Sequence, residues 1–240
     1  MDLDTGTGQD AADYCAALVR AEDRNRFLAA QFAAPPARRR VLALLAVNAE
    51  MARAARAAHE PILLRMRIQW WREALAAVLA GGPPPRQLAL VALVRAHAQT
   101  PFVPDSFERL LAARERDFTV RPLAGIDDAV AHADDSAGSL ALLALRTLGV
   151  CDAAADVAAR SAGIAFDLAG MSVRAGFSLR QAARDHIAVA RQRRTSVPGA
   201  ARAVMLWVTA AEARVGAADP ARPLPLLPLT LAWRAWRGIY

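Results

Sequence analysis

The stretch "NAEMARAARAAHEP", residues 48–61, sets Glu50, Arg53 and Arg56 at helical intervals among alanines. Side chains three and four apart on a helix are neighbours, so these charges form a short row. Such a row is a solvated stripe, or it lines a cavity where paired guanidinium groups hold a phosphate or carboxylate. A second group with chemical potential is acidic. Asp127-Asp128 and Asp134-Asp135 are adjacent pairs, and adjacent helical side chains diverge by about 100°, so neither pair alone converges on a metal ion. Asp127 and Asp128 sit where acids in a first helical turn favour the helix dipole. Asp134 and Asp135 fall within a helical pattern, just before the small residues of "SAGS"; a solvated face is the plain alternative. A third string, "RIQWWREAL" at 67–75, brackets Trp70 and Trp71 with Arg67 and Arg72. Adjacent tryptophans cover neighbouring sectors of a helix, so one fills a core and the other walls a groove or an interface.

Other chemistry finds little support. His59, His97, His132 and His186 are scattered and read as packing or surface residues. Cys15 and Cys151 have no metal-type spacing and read as buried thiols in a reducing compartment. No GxGxxG, P-loop, HExxH, CxxC or GxSxG occurs, so dinucleotide, nucleotide, zinc and serine-hydrolase readings have no motif.

The elements that must position these residues are helices. Ala, Leu, Arg and Glu dominate, and β-branched runs of alternating polarity are missing. Punctuation predicts helices over about 11–32 with a break near Asp23, then from Pro35-Pro36 to about Ala58, and from Pro61 to the Gly81-Gly82 stop. Further helices are predicted over 86–99, from Asp105 or Ser106 onward, 126–148 closed by Gly149, 153–174, 179–192, 198–215 and 224–237. The expectation is a flexible N-terminus over 1–10 and one all-α domain of roughly eight to ten helices over 11–240.

Composition bounds the partners. At 55% hydrophobic residues the chain is not disordered. The net charge of +7 favours anionic company. Every basic residue is arginine, but without a basic cluster interleaved with aromatics a nucleic-acid partner is not expected. No apolar run reaches the ~18 residues needed to cross a bilayer, and the first residues are too acidic and polar for a signal peptide. The expected location is cytoplasmic, with peripheral contact at the inner membrane through 224–240. There "AWRAWRGIY" puts Trp233 and Trp236 on one helix face beside Arg234 and Arg237; the alternative is that these tryptophans dock back onto the core.

The order of features resembles the squalene and phytoene synthase family of head-to-head prenyltransferases. An Arg-rich entry, "DRNRFLAAQFAAPPARRR", precedes the long helix with Glu50, then the Trp-Trp helix; "AHADDSAGSLALLALRTLG" and "SAGIAFDLAG" follow in family order. The resemblance implies the isoprenoid synthase fold, with helices around a central cavity. It also implies, for active members, two aspartate-rich motifs that bind a diphosphate through Mg²⁺. Aligned on the resemblance, the first motif falls on Ala52, Arg53 and Arg56 and the second near Val173 and Phe177, none of them acidic. Within the family, "NAE.AR..R", "R.QWWR.AL", "AGIA..L.G" and the Pro-Leu-rich tail are similar to a non-catalytic branch associated with respiratory complex I assembly. The string "SLRQAARDHIAVA" departs from that branch's pattern. The resulting expectation is a non-catalytic protein without cofactor. Its partner is a respiratory complex subunit, or an isoprenoid or other anionic lipid held near Arg53 and Arg56, with Glu50, Asp134, Asp135 or Asp167 partnering those arginines. The alternative is a Mg²⁺-dependent prenyltransferase that uses Glu50, Asp134, Asp135 and Asp167 as its acids.

Overall fold

The computed structural model describes residues 5–57, 60–102, 104–118, 123–171, 178–217 and 224–240. Among these, regular structure is entirely helical, in twelve α-helical segments. The first are α1 (Thr5–Glu22), α2 (Arg24–Ala30), α3 (Pro35–Arg56), α4 (Pro61–Leu79), α5 (Leu88–Gln99) and α6 (Pro104–Phe118). Then come α7 (Ile126–Ala133), α8 (Ser139–Thr147), α9 (Ala153–Met171), α10 (Arg180–Gln192), α11 (Arg202–Gly216) and α12 (Leu227–Arg237). The total exceeds the expected eight to ten because two predicted helices are subdivided. Asp23 breaks the first by capping a new one, its carboxylate accepting from the Arg26 amide at 3.2 Å. The pattern over 126–148 is interrupted by a π turn, Asp134–Gly138, between α7 and α8. α1 begins at Thr5, within the 1–10 segment.

Sequence punctuation sets most other boundaries. Pro35 and Pro61 open α3 and α4, where a missing N–H costs nothing. Gly149 and Gly238 close α8 and α12 in left-handed backbone, at φ 75° and 64°.

Burial separates central from peripheral helices. Val41 to Val47 of α3 and Ala203 to Ala211 of α11 are buried at every position. A helix that is apolar all round belongs inside a helical assembly. α9, buried at every position from 161 to 165, packs against α10 and α11, while α3 packs against α1 and α5. Two close approaches tie the middle together. Gly163 of α9 lies against the π turn, where an added Cβ would stand 2.1 Å from the Ala137 carbonyl oxygen. Arg26 of α2 is buried with its guanidinium 4.0 Å from the Phe166 ring and 4.5 Å from the Trp207 ring, and it pairs with Asp23 at 2.8 Å. Stacking on two rings is a cation–π arrangement, strengthened by exclusion of water.

Candidate functional site

The residues singled out from the sequence gather into two separate groups. The first is a groove of about 470 Å³ between α3, α4 and the start of α5, lined by Glu50, Arg53, Ala54, Ala57, Arg67, Trp70, Trp71 and Gln87. The Trp pair divides as its spacing requires. Trp71 is 3% exposed and fills the core, Trp70 is 43% exposed and walls the groove, and the rings meet edge to face at 5.1 Å. Arg67 donates to the Ala54 carbonyl at 2.8 Å, which fixes α4 against α3.

Of the two arginines expected at a cavity, Arg53 lines this groove and Arg56 is not among its lining residues; neither is buried. Their side chains are 49% and 57% exposed. Arg56 pairs with Glu22 of α1 at 2.7 Å, and Arg53 with Glu50 at 3.1 Å. Asp134, Asp135 and Asp167 are not their partners: all three belong to the second group. Arg53 therefore rims the first groove, while Arg56 staples α3 to α1. Exposed pairs of this kind contribute about 0–1 kcal/mol each. The same Glu50 carboxylate also accepts from the Tyr14 hydroxyl. Burial, with Glu50 adding to it, pushes the Tyr14 phenol up to about 12.

The second group surrounds the π turn. Arg109 of α6 holds Asp135 at 2.7 Å and Asp134 at 3.1 Å, and Arg160 of α9 holds Asp134 from the other side. Burial alone would raise the Asp134 carboxyl. The hydrogen bond from Arg160 and the charges of Arg160 and Arg109 more than offset it and hold the group below its ordinary range. Asp167 accepts from the Ser136 hydroxyl. Beside them runs a groove of about 490 Å³ lined by Asp127, Asp134, Arg160, Ser161 and His186 among apolar residues. Burial lowers His186, so the imidazole is neutral at neutral pH.

The remaining candidates are structural. The His97 Nδ1 accepts from the Phe102 amide at 3.1 Å, and His132 meets Asp117 at 2.9 Å. Asp128 accepts from Arg116 and from the Ala124 amide. Cys15 is buried, but Cys151 is exposed, contrary to the sequence reading: it stands in the short connection between α8 and α9, where its neighbour Val150 rather than the thiol enters the core. His59, Val173 and Phe177 lie outside the described residues.

Sequence reasoning missed the partners. Tyr14, Arg109, Arg160 and Ser136 are each brought to a candidate acid from another helix or turn, and local spacing carries no sign of such contacts. Gly163 was legible only as part of "SAGIAF", not as the point of closest approach.

Mg²⁺ does not fit the residues at the first motif's positions. Ala52 offers no oxygen ligand, Arg53 and Arg56 add positive charge, and neighbouring Glu50 is engaged by Tyr14 and Arg53. Among the described residues no three His, Cys, Asp or Glu side chains gather as a metal site.

Comparison with known proteins gives consistent relatives. The chain is 29% identical over 154 residues to NADH dehydrogenase (ubiquinone) complex I, assembly factor 6 of Rattus norvegicus, covering 64% of this chain and 46% of that protein. The Homo sapiens protein of that name is 27% identical over 160 residues, covering 66% of this chain and 48% of its own length. This chain thus matches about half the length of these relatives. Among solved structures, a dehydrosqualene synthase in complex with ligand superimposes with a TM-score of 0.70 at 15% identity, covering 95% of this chain and 96% of that one. The squalene synthase HpnC from Alicyclobacillus acidocaldarius gives 0.71 at 16% identity, covering 96% and 95%. These likenesses establish the isoprenoid synthase fold. The squalene/phytoene synthase family model matches residues 19–172, which is most of the chain, and this protein belongs to that family.

Proposed function

We propose that this chain is a non-catalytic family member that serves the assembly of a respiratory complex. The observation that carries it is the saturation of the candidate acids: Glu50, Asp134 and Asp135 are held by arginines and Asp167 by a serine hydroxyl. A carboxylate already neutralised by a guanidinium is a poor Mg²⁺ ligand, and ionisation of a diphosphate needs the metal. The curated relatives, named as complex I assembly factors, give the direction of the alternative role. Deleting the gene in a host that makes this complex, and restoring it on a plasmid, tests the reading. Assembled NADH dehydrogenase on native gels is expected to fall on deletion and return on complementation. Unchanged assembly, or squalene, presqualene or phytoene formed by the purified protein from Mg²⁺ and farnesyl or geranylgeranyl diphosphate, would overturn it.

Peripheral membrane contact is supported by α12. Leu227, Leu231 and Ala235 dock on the core, and Glu212 of α11 clamps the helix through Arg234 at 2.7 Å. The opposite face leaves Leu226, Leu229, Trp233 and Trp236 exposed, Trp236 at 80%, with Arg237 above the Trp233 ring at 5.7 Å. Tryptophan and arginine together suit the headgroup region of an anionic bilayer. No helix among the described residues is long and apolar enough to cross a membrane. Flotation with anionic liposomes is expected to carry the protein at low salt and to release it at high salt. W233A/W236A should float several-fold less; flotation equal to the parent would remove α12 from the contact.

A further inference from the structure

Helix α4 is apolar on two faces, and only one is covered. Leu64, Ile68, Trp71, Leu75 and Val78 are buried against the body of the protein. At ~100° per residue, Ile62, Met66, Trp70 and Leu63 fall within about 100° of arc on the other side. All four are exposed, Ile62 and Met66 at 58% and 63%. The stripe from Ile62 to Trp70 is roughly 12 Å long at 1.5 Å per residue. Arg67 follows about 40° beyond this arc, on the side of the α3–α4 groove. Its guanidinium makes one bond, to the Ala54 carbonyl, and meets no carboxylate among the described residues. Arg53 stands across the same groove, already paired with Glu50, which also lines it, so Arg67 is the cation there without a carboxylate; Trp70 belongs to both stripe and groove.

We propose that this surface docks a short amphipathic helix of a partner protein, its apolar side chains covering Ile62, Met66 and Trp70 and an acidic side chain entering the groove to pair with Arg67. This deepens the assembly reading, on which it rests for the existence of a protein client, by naming the surface and the chemistry of the partner. Charge selects the occupant. A second copy would bring together two chains of net charge +7. A bilayer is flat where this cation is recessed, whereas a helix lays one face along a groove and inserts single side chains into it. A carboxylate placed there meets a guanidinium with free donors, a bidentate arrangement that fixes register as well as strength. The contact is small, so the complex is a transient one.

The probe is a displayed library of helical peptides with leucine fixed at i, i+4 and i+8 and the flanking positions free to be Glu, Gln or Lys, selected on the full-length protein. Selected peptides are expected to carry Glu beside the leucine row and to bind with Kd on the order of 10–100 μM, as transient helix-in-groove contacts do. Met66→Glu, a change at an exposed position, should weaken binding at least about tenfold, and Arg67→Gln should erase the preference for Glu over Gln. Circular dichroism checks that both variants are folded. No enrichment, a preference for Lys, or binding unchanged by Met66→Glu would overturn the proposal. So would dimerisation of the parent, or vesicle binding, that Met66→Glu abolishes: either would give the stripe to another occupant. Docking without an assembly defect on gene deletion would leave the surface standing and the assembly reading fallen; the reverse pair of results would do the opposite.

Discussion

Gly163→Ala is expected to cost about 3 kcal/mol, the upper part of the range for overpacking a well-packed interior. For a chain of this size that corresponds to a melting temperature lower by roughly 6–12 °C. The new methyl would stand 2.1 Å from the Ala137 carbonyl oxygen and 2.6 Å from its carbon, with the Ala141 Cβ at 3.0 Å. The two closest atoms are backbone, so no rotamer change relieves the clash, and α9 must move off the π turn. That movement would also separate Arg160 from Asp134 and Asp167 from Ser136, since one member of each pair rides on α9. Gly170→Ala is the control on the same helix. No described atom lies within 4 Å of its added Cβ, and alanine is the better helix former by about 0.5–1 kcal/mol. Thermal unfolding followed by circular dichroism reads both variants. A Gly163→Ala protein that melts with the parent would mean that α9 and the π turn slide past each other freely.

Helix positions were legible because this sequence is punctuated by rigid signals. Pro35, Pro61, Gly149 and Asp23 each act within one turn of the chain, so their effect needs no knowledge of the fold. The split of Trp70 and Trp71 was legible for a related reason: adjacent helical residues cannot share an environment. The π turn was not legible. Asp134 to Gly138 continue a helical pattern without proline, and the extra residue is accommodated by tertiary contacts. Arg109, Arg160 and Gly163 supply those contacts, and the nearest of them lies 25 residues from Asp134. The facing of Arg53 and Arg56 was open in the sequence for a different reason. Their spacing is right for a shared face, but spacing does not say which way that face turns. Glu22, on a different helix, holds Arg56 at the surface and lies 4.0 Å from Arg53, which rims the groove.

Asp134→Ala should lower stability by about 2 kcal/mol at neutral pH, or roughly 4–8 °C in melting temperature. The loss is larger than for a surface pair because the variant leaves Arg160, inside an apolar-walled groove, without its carboxylate. It is smaller than the ~3–5 kcal/mol of a fully buried pair, since Arg109 and Arg160 keep about 39% and 38% of their side-chain surface in water and are screened there. Asp135→Ala removes a more exposed partner of Arg109 and should cost less than about 1 kcal/mol. The pH dependence separates charge from shape. Asp134 has its folded pKa below the unfolded one, so its contribution is fully present above the unfolded value of ~3.9 and is lost as pH falls through the folded value. The gap in melting temperature between parent and Asp134→Ala should therefore stay constant from pH 7 down to about 5 and close only below about 4. Asp134→Asn, which keeps the shape and removes the charge, should track the alanine variant in this pH dependence while retaining part of the neutral-pH stability. A gap of unchanged size in acid would show that Asp134 acts through its packing in the π turn, and the two arginines would then need another reason to converge there.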